Sequence, residues 1–156
     1  MTDANLKNLA SLSKGLNEAS DALSQQIARV EAALNQLKLG IWAWVEVSRS
    51  TDDESFRVNG KPELVTRVER LGYGKHKRKW GLLYAVDYEE YPDPEIGTVS
   101  FLCDAPRMEK IEAVDKIPDL LKAIEESAHK LTKRAHDQAA RVAEVAAALD
   151  QGRGRS

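Results

Sequence analysis

The stretch GYGKHKRKWG, residues 72–81, holds the densest run of residue types able to do chemistry. Lys75, Lys77, Arg78 and Lys79 surround His76, and Tyr73 and Trp80 flank the group. Cations of this kind grip phosphates, and aromatic rings give bases a surface to stack on. The glycines do not make a nucleotide loop, because the spacing G-x-x-x-x-G-K-[ST] and the helix that must follow it are both missing. Two readings remain, a solvated tip of a β-hairpin and a contact for nucleic acid or a partner. Glu63 and Glu69 on the preceding strand, and the use of charge to protect sheet edges, favour the hairpin tip. Gly72 and Gly74 are expected to supply the positive φ of its turn.

The acidic residues form two clusters, Asp52, Asp53 and Glu54 in one and Asp87, Glu89, Glu90, Asp93 and Glu95 in the other. Neither has the D-x-[DN]-x-[DN]-G spacing of a calcium loop. Both are expected on solvated loops beside lysine or arginine, where paired carboxylates lack the pocket that acid–base catalysis needs. His129 and His136 lie seven apart, without a His or Cys at the four-residue spacing of a helical zinc site. Glu125 and His129 read as a surface pair. Cys103 ends an apolar strand and reads as a small core residue, and Asp104 beside it should raise its thiol pKa. No pattern marks a serine nucleophile. The expectation is a non-enzymatic protein that needs no metal or cofactor.

These groups must be positioned by a chain of 156 residues, a size that suits one domain. Its net charge of −2 gives no general attraction to polyanions, so a nucleic-acid contact has to rest on local charge. The single cysteine excludes an intramolecular disulfide and fits a reducing compartment. The first twenty residues lack the apolar run of a signal peptide, and the longest apolar stretch, IWAWV, is too short to span a bilayer. A cytoplasmic protein with no membrane contact is expected.

Apolar residues at spacings of three and four, from Leu9 through Leu16, Leu23 and Val30 to Leu37, predict a long helix over residues 5–39. Asp3 should cap it and Gly40 stop it. Its other face is rich in Ser, Asn and Gln with few charges, which suggests that it meets a partner. Residues 41–103 alternate with a period near two. Strands are expected at IWAWVEVSR, ELVTRVERL, KWGLLYAVDYEE and TVSFLC, with a polar loop over residues 50–62 and a turn at YPDPEIG. Short connections favour an antiparallel meander. From Asp104 the helical period returns. A short helix should turn Met108, Ile111, Val114 and Ile117 inward. After Pro118 a second long helix over 119–149 carries two heptad rows. Ile117, Ile124, Leu131, Gln138 and Val145 form one, and Leu121, Ala128, Ala135, Val142 and Leu149 the other.

The fold class expected is therefore α+β, with a four-stranded antiparallel meander between a long N-terminal helix and a short plus a long C-terminal helix. The units are 1–40, 41–103 and 104–150 within one structural domain, followed by a disordered tail at 151–156. The two long helices should pair as a coiled-coil-like bundle, within one chain or across a homodimer. This order of elements, with Tyr91, Pro92 and Pro94 before the last strand, resembles the RWD-type domains of coiled-coil scaffold proteins, as an analogy that carries no family membership.

The function expected is a protein–protein interaction or assembly module that acts through its helices and its charged sheet poles. The contact residues would be Tyr73, Lys75, His76, Lys77, Arg78, Lys79 and Trp80. A nucleic-acid-associated protein using the basic hairpin is the first alternative, and a small dimeric chaperone is the second.

Overall fold

In the computed structural model the described residues are 2–52, 57–58, 61–62, 65–90 and 95–155. The chain is α+β, with the long helix, the four-stranded antiparallel sheet, the short helix and the second long helix in the expected order; two further short strands, at 57–58 and 61–62, lie in the stretch 50–62 expected to be a polar loop. Helix α1 spans Asp3–Gln36, followed by strands β1 (Ala43–Asp52), β2 (Arg57–Val58), β3 (Lys61–Pro62), β4 (Val65–His76), β5 (Lys79–Glu90) and β6 (Glu95–Phe101). A 3-10 turn at Leu102–Asp104 leads to α2 (Arg107–Val114) and α3 (Ile117–Arg153). β1, β4, β5 and β6 form one antiparallel sheet in that order, and β2 and β3 form a separate small hairpin. No described helix is long and apolar enough to cross a membrane.

The alternation of side chains decides which face of the sheet is core. Val45, Leu71 and Tyr84 lie opposite one another across β1, β4 and β5, and so do Ala43, Tyr73 and Leu82. This face buries Leu71, Tyr73, Leu82, Tyr84 and Val86 against Ile27 and Leu34 of α1, Leu102, Ala113 of α2, and Leu120 and Ile124 of α3. Both long helices therefore pack on the sheet, α1 along β5 and the 3-10 turn, α3 along β1 and β4. Each does so with only part of its length.

The opposite face is closed by aromatics over glycines. The Trp44 ring lies on Gly72, its cross-strand partner, and the Trp42 ring lies on Gly74. An ideal Cβ on Gly72 would stand 2.4 Å from Trp44 Cε3, and one on Gly74 would stand 2.3 Å from Trp42 Cε3. This corrects the role expected of these glycines. They supply flat ground for two indoles, and the turn's positive φ falls elsewhere. Lys77 (φ 47) and Arg78 (φ 67) form the two-residue connection of β4 to β5, a hairpin turn with left-handed backbone at both positions. Glycine or asparagine would take such angles more easily. A side chain there costs on the order of 1 kcal/mol per residue.

Several boundaries differ from the sequence reading. β4 and β5 run almost to their turn, so most of GYGKHKRKWG is strand. α1 ends at Gln36, and Lys38 takes a positive φ of 50 before Gly40 at 63. Thr2 stands at the N-cap and Asp3 in the first turn. β6 begins at Glu95, inside the expected turn, and Cys103 lies in the 3-10 turn rather than in a strand. In α2 the buried residues are Lys110 and Ala113, while Met108 and Ile111 are exposed. That helix starts after Pro106, and of the four residues expected to face inward Val114 and Ile117 pack against the core, half-buried. α3 continues through Gln151, Gly152 and Arg153, past the expected start of the tail. Asp53, Glu54, Asn59, Gly60, Glu63, Tyr91, Pro92, Asp93 and Pro94 lie outside the described residues.

Candidate functional site

The residues singled out around the basic stretch separate into three environments. Lys75, Lys77, Arg78 and Lys79 are exposed. None of them makes an ion pair among the described residues. His76 is half-buried, edge-on to Phe101 with ring centroids 5.2 Å apart, a partner that sequence spacing did not reveal. Tyr73 belongs to the core at 2% exposure, so it offers no stacking surface at the tip. Trp80 lies between these extremes, half-buried, 5.5 Å from the Tyr73 ring and 5.8 Å from that of Trp42, which is 52% exposed.

α1 positions this aromatic group through contacts absent from the sequence reading. β6 ends its pairing at Phe101 with Leu83, so β5 has a free edge beyond that point. There Glu31 accepts the Leu82 N–H at 2.8 Å, and Asn35 Nδ2 donates to the Trp80 carbonyl at 3.1 Å. Asn35 Oδ1 accepts the Tyr73 hydroxyl at 2.7 Å. Two helical side chains four apart thus replace the missing strand and protect the edge. Burial pushes the Tyr73 phenol above its ordinary pKa, and the Glu31 charge adds to the effect. Nearer the start of α1, Asn17 accepts from Arg107 at 2.6 Å and Ser24 from Lys110 at 3.1 Å. Asn17, Ser24 and Glu31 are seven apart, so one polar stripe of α1 is used within the chain. The polarity of that face is the signal in the sequence, and at these three positions it meets groups of the same chain where a partner is expected.

Between the end of α1 and the β4–β5 hairpin lies an open groove of about 570 Å3. Asn35, Lys38, Leu39, Tyr73, Lys79 and Trp80 line it, together with Glu31. A smaller opening of about 250 Å3 shares Glu31, Lys79 and Trp80 and adds Phe101, Cys103 and Asp104. The Cys103 thiol is pushed up, first by burial and then by Glu31 and Asp104, with Lys110 opposing. It is held as a thiol, not as a nucleophilic thiolate.

The expected acidic pole is in part an ion network on β5. Arg49 pairs with Glu46 at 3.1 Å and with Glu89 at 2.7 Å, and Arg70 lies 3.4 Å from Asp87. Asp87 and Glu89 therefore stand on a strand and are neutralised across it. Among the described residues the core face holds one buried carboxylate. Glu69 (4% exposed) accepts from Ser48, Arg67 and Tyr84, the last at 2.7 Å. Burial pushes its pKa up, but these hydrogen bonds and the Arg67 charge prevail and hold it below the ordinary value. The Tyr84 phenol is driven well above its usual range by burial and by Glu69. A carboxylate so fully bonded serves the fold. Among the described residues no group of His, Cys, Asp or Glu could hold a metal ion.

The remaining surface of note lies on the free halves of the long helices. Leu6, Leu9, Leu12 and Leu16 of α1 are exposed, although the same stripe continues into the packed Leu23 and Val30. In α3 every residue from His129 to Arg153 is exposed, including Leu131, Val142, Val145 and Leu149. Glu125 and His129 make the expected surface pair at 3.7 Å. Compared with protein-family models, curated proteins and solved structures, the chain matches none.

Proposed function

We propose that this protein is a non-enzymatic assembly module, in which the free halves of α1 and α3 pair with those of a second copy. One observation carries this reading: each helix's apolar stripe is buried against the sheet at one end and continues bare at the other. Residues 129–153 of α3 extend about 37 Å at 1.5 Å per residue, and residues 3–16 of α1 about 20 Å. In proteins most helical stability comes from packing an apolar face, so a partner would stabilise these arms. The heptad rows of α3 supply a seam, and Ala128 and Ala135 allow close approach. Leu6, Leu9, Leu12, Leu16, Leu131, Val142, Val145 and Leu149 are each about half exposed, so covering the rest of each contributes about 1 kcal/mol. Summed over two copies this is of the same order as the roughly 4–15 kcal/mol that association costs in lost freedom of motion.

Sedimentation equilibrium from low to high micromolar concentration tests the proposal. A dimer or larger assembly is expected. The paired changes Leu9→Glu with Leu16→Glu, and Val142→Glu with Leu149→Glu, should each yield a monomer of lower helicity whose sheet still melts cooperatively. A parent chain that stays monomeric at high micromolar concentration overturns the reading.

A further inference from the structure

The groove between α1 and the hairpin has a chemistry that neither the core nor the helix arms explain. We infer that it binds a nucleobase and its phosphate, the base against Trp80 and the phosphate between Lys38 and Lys79. Its volume, about 570 Å3, falls in the usual range of small-ligand sites. Trp80 is half-buried, with the Tyr73 ring 5.5 Å and the Trp42 ring 5.8 Å away, and it lines both this groove and the smaller opening beside it. Stacking on such a ring tolerates any base, because every base has a π-face.

The charges point the same way. Lys38 and Lys79 line the groove, and neither makes an ion pair among the described residues. Glu31 is the carboxylate in the lining. Its Oε2 already accepts the Leu82 N–H, and a base edge carrying N–H donors suits that oxygen pair. The backbone adds an independent sign. The non-glycine residues with positive φ among those described are Lys38, Lys77 and Arg78. All are cations, one lining the groove and two in the turn next to Lys79. Asparagine or glycine would hold those angles with less strain, so the cation at Lys38 is kept at a small cost in backbone energy. A bare inorganic anion would leave the indole unused, and an acidic peptide lacks a flat ring to stack. The same chemistry is offered by a free nucleotide or by the end of a single strand.

Calorimetric titration at low salt, where screening does not hide the lysines, tests the site. The probes are adenosine 5′-monophosphate, adenosine, inorganic phosphate, a short single-stranded oligonucleotide and a polyglutamate peptide. The monophosphate or the oligonucleotide should bind, with adenosine and phosphate each at least about tenfold weaker. Lys38→Asn and Trp80→Leu should each weaken that binding at least about tenfold. Lys38→Asn should also melt no lower than the parent, because asparagine suits the backbone there, so its loss of binding is not a loss of fold. Binding of the monophosphate alone identifies a free nucleotide as the source, and much tighter binding of the oligonucleotide identifies a strand. The inference is overturned by the absence of heat with both probes up to about 10 mM. It is equally overturned by binding indifferent to both variants, or by polyglutamate competing as well as the monophosphate.

Discussion

Replacing Gly72 with alanine adds one methyl group to a strand, which ordinarily favours folding by about 0.5–1 kcal/mol because glycine loses more backbone freedom. Here the sign should reverse. The new Cβ would stand 2.4 Å from Trp44 Cε3, 2.5 Å from Cδ2 and 2.6 Å from Cζ3. Carbon atoms at rest need about 3.5 Å, so the indole must lift by roughly 1 Å or swing off the sheet. The obstacle is the body of a ring lodged on β4, and no flexible end can yield instead. A gap of that size forfeits about a quarter to a half of the ring's dispersion contacts, and complete release of a buried aromatic costs roughly 3 kcal/mol. Set against the backbone gain, loss of half to all of that contact leaves a net destabilisation of about 0.5–2.5 kcal/mol. For a chain of this length that lowers Tm by roughly 1–10 °C. Urea and thermal unfolding measure the difference, with near-ultraviolet circular dichroism reporting the displaced indole. In a Trp44→Ala background the same glycine change should be neutral or stabilising, which gives a coupling of about 1–3 kcal/mol in the double-mutant cycle. A Gly72→Ala protein as stable as its parent, with Trp44 present, would refute the packing argument.

Gly97→Ala should be worse, because its Cβ would fall 1.5 Å from the Val86 carbonyl oxygen, a backbone atom beside the register shift of β5 and β6. Denaturation should show a loss above about 3 kcal/mol, and a loss no greater than that of Gly72→Ala contradicts the geometry. Glu69 has a depressed folded pKa, so its contribution is present above the ordinary glutamate value of about 4.3 and is lost as pH falls through the folded value. Glu69→Gln should therefore flatten the acid limb of stability against pH, and parallel limbs for parent and variant would sink this reading. Gln138 lies in the bare half of α3, in a heptad row otherwise apolar, so Gln138→Leu should raise Tm and mix association states. An unchanged melt and mass would mean that no seam passes there. Changing Lys75, Lys77, Arg78 and Lys79 together to Ser should move stability by no more than about 0.5 kcal/mol, and a large loss on melting would show that the tip supports the sheet.

Local periodicity determined most of the architecture. Leucines at heptad spacing in α1, alternation through Ala43, Val45, Leu71 and Tyr73, and the return of a helical period after Asp104 each state an element's type and its buried side. Such patterns are legible because the buried face of one element repeats at that element's own period. What lay beyond them depended on residues far apart in the chain. Gly72 and Gly74 look like turn glycines until β1 pairs with β4 and lays Trp44 and Trp42 on them. Tyr73 looks like a flank of the basic tip until register places it opposite Ala43 and Leu82 in the core. Glu31 and Asn35 carry no signal as a pair, and their role appears only where β6 stops short and leaves the Leu82 N–H and the Trp80 carbonyl open. The groove at Trp80 was likewise invisible, since Lys38 and Lys79 come from segments about forty positions apart. Pattern within a segment reports burial, whereas hydrogen-bond partners, close approach and cavities are set by which segments meet. Only the tertiary structure decides that.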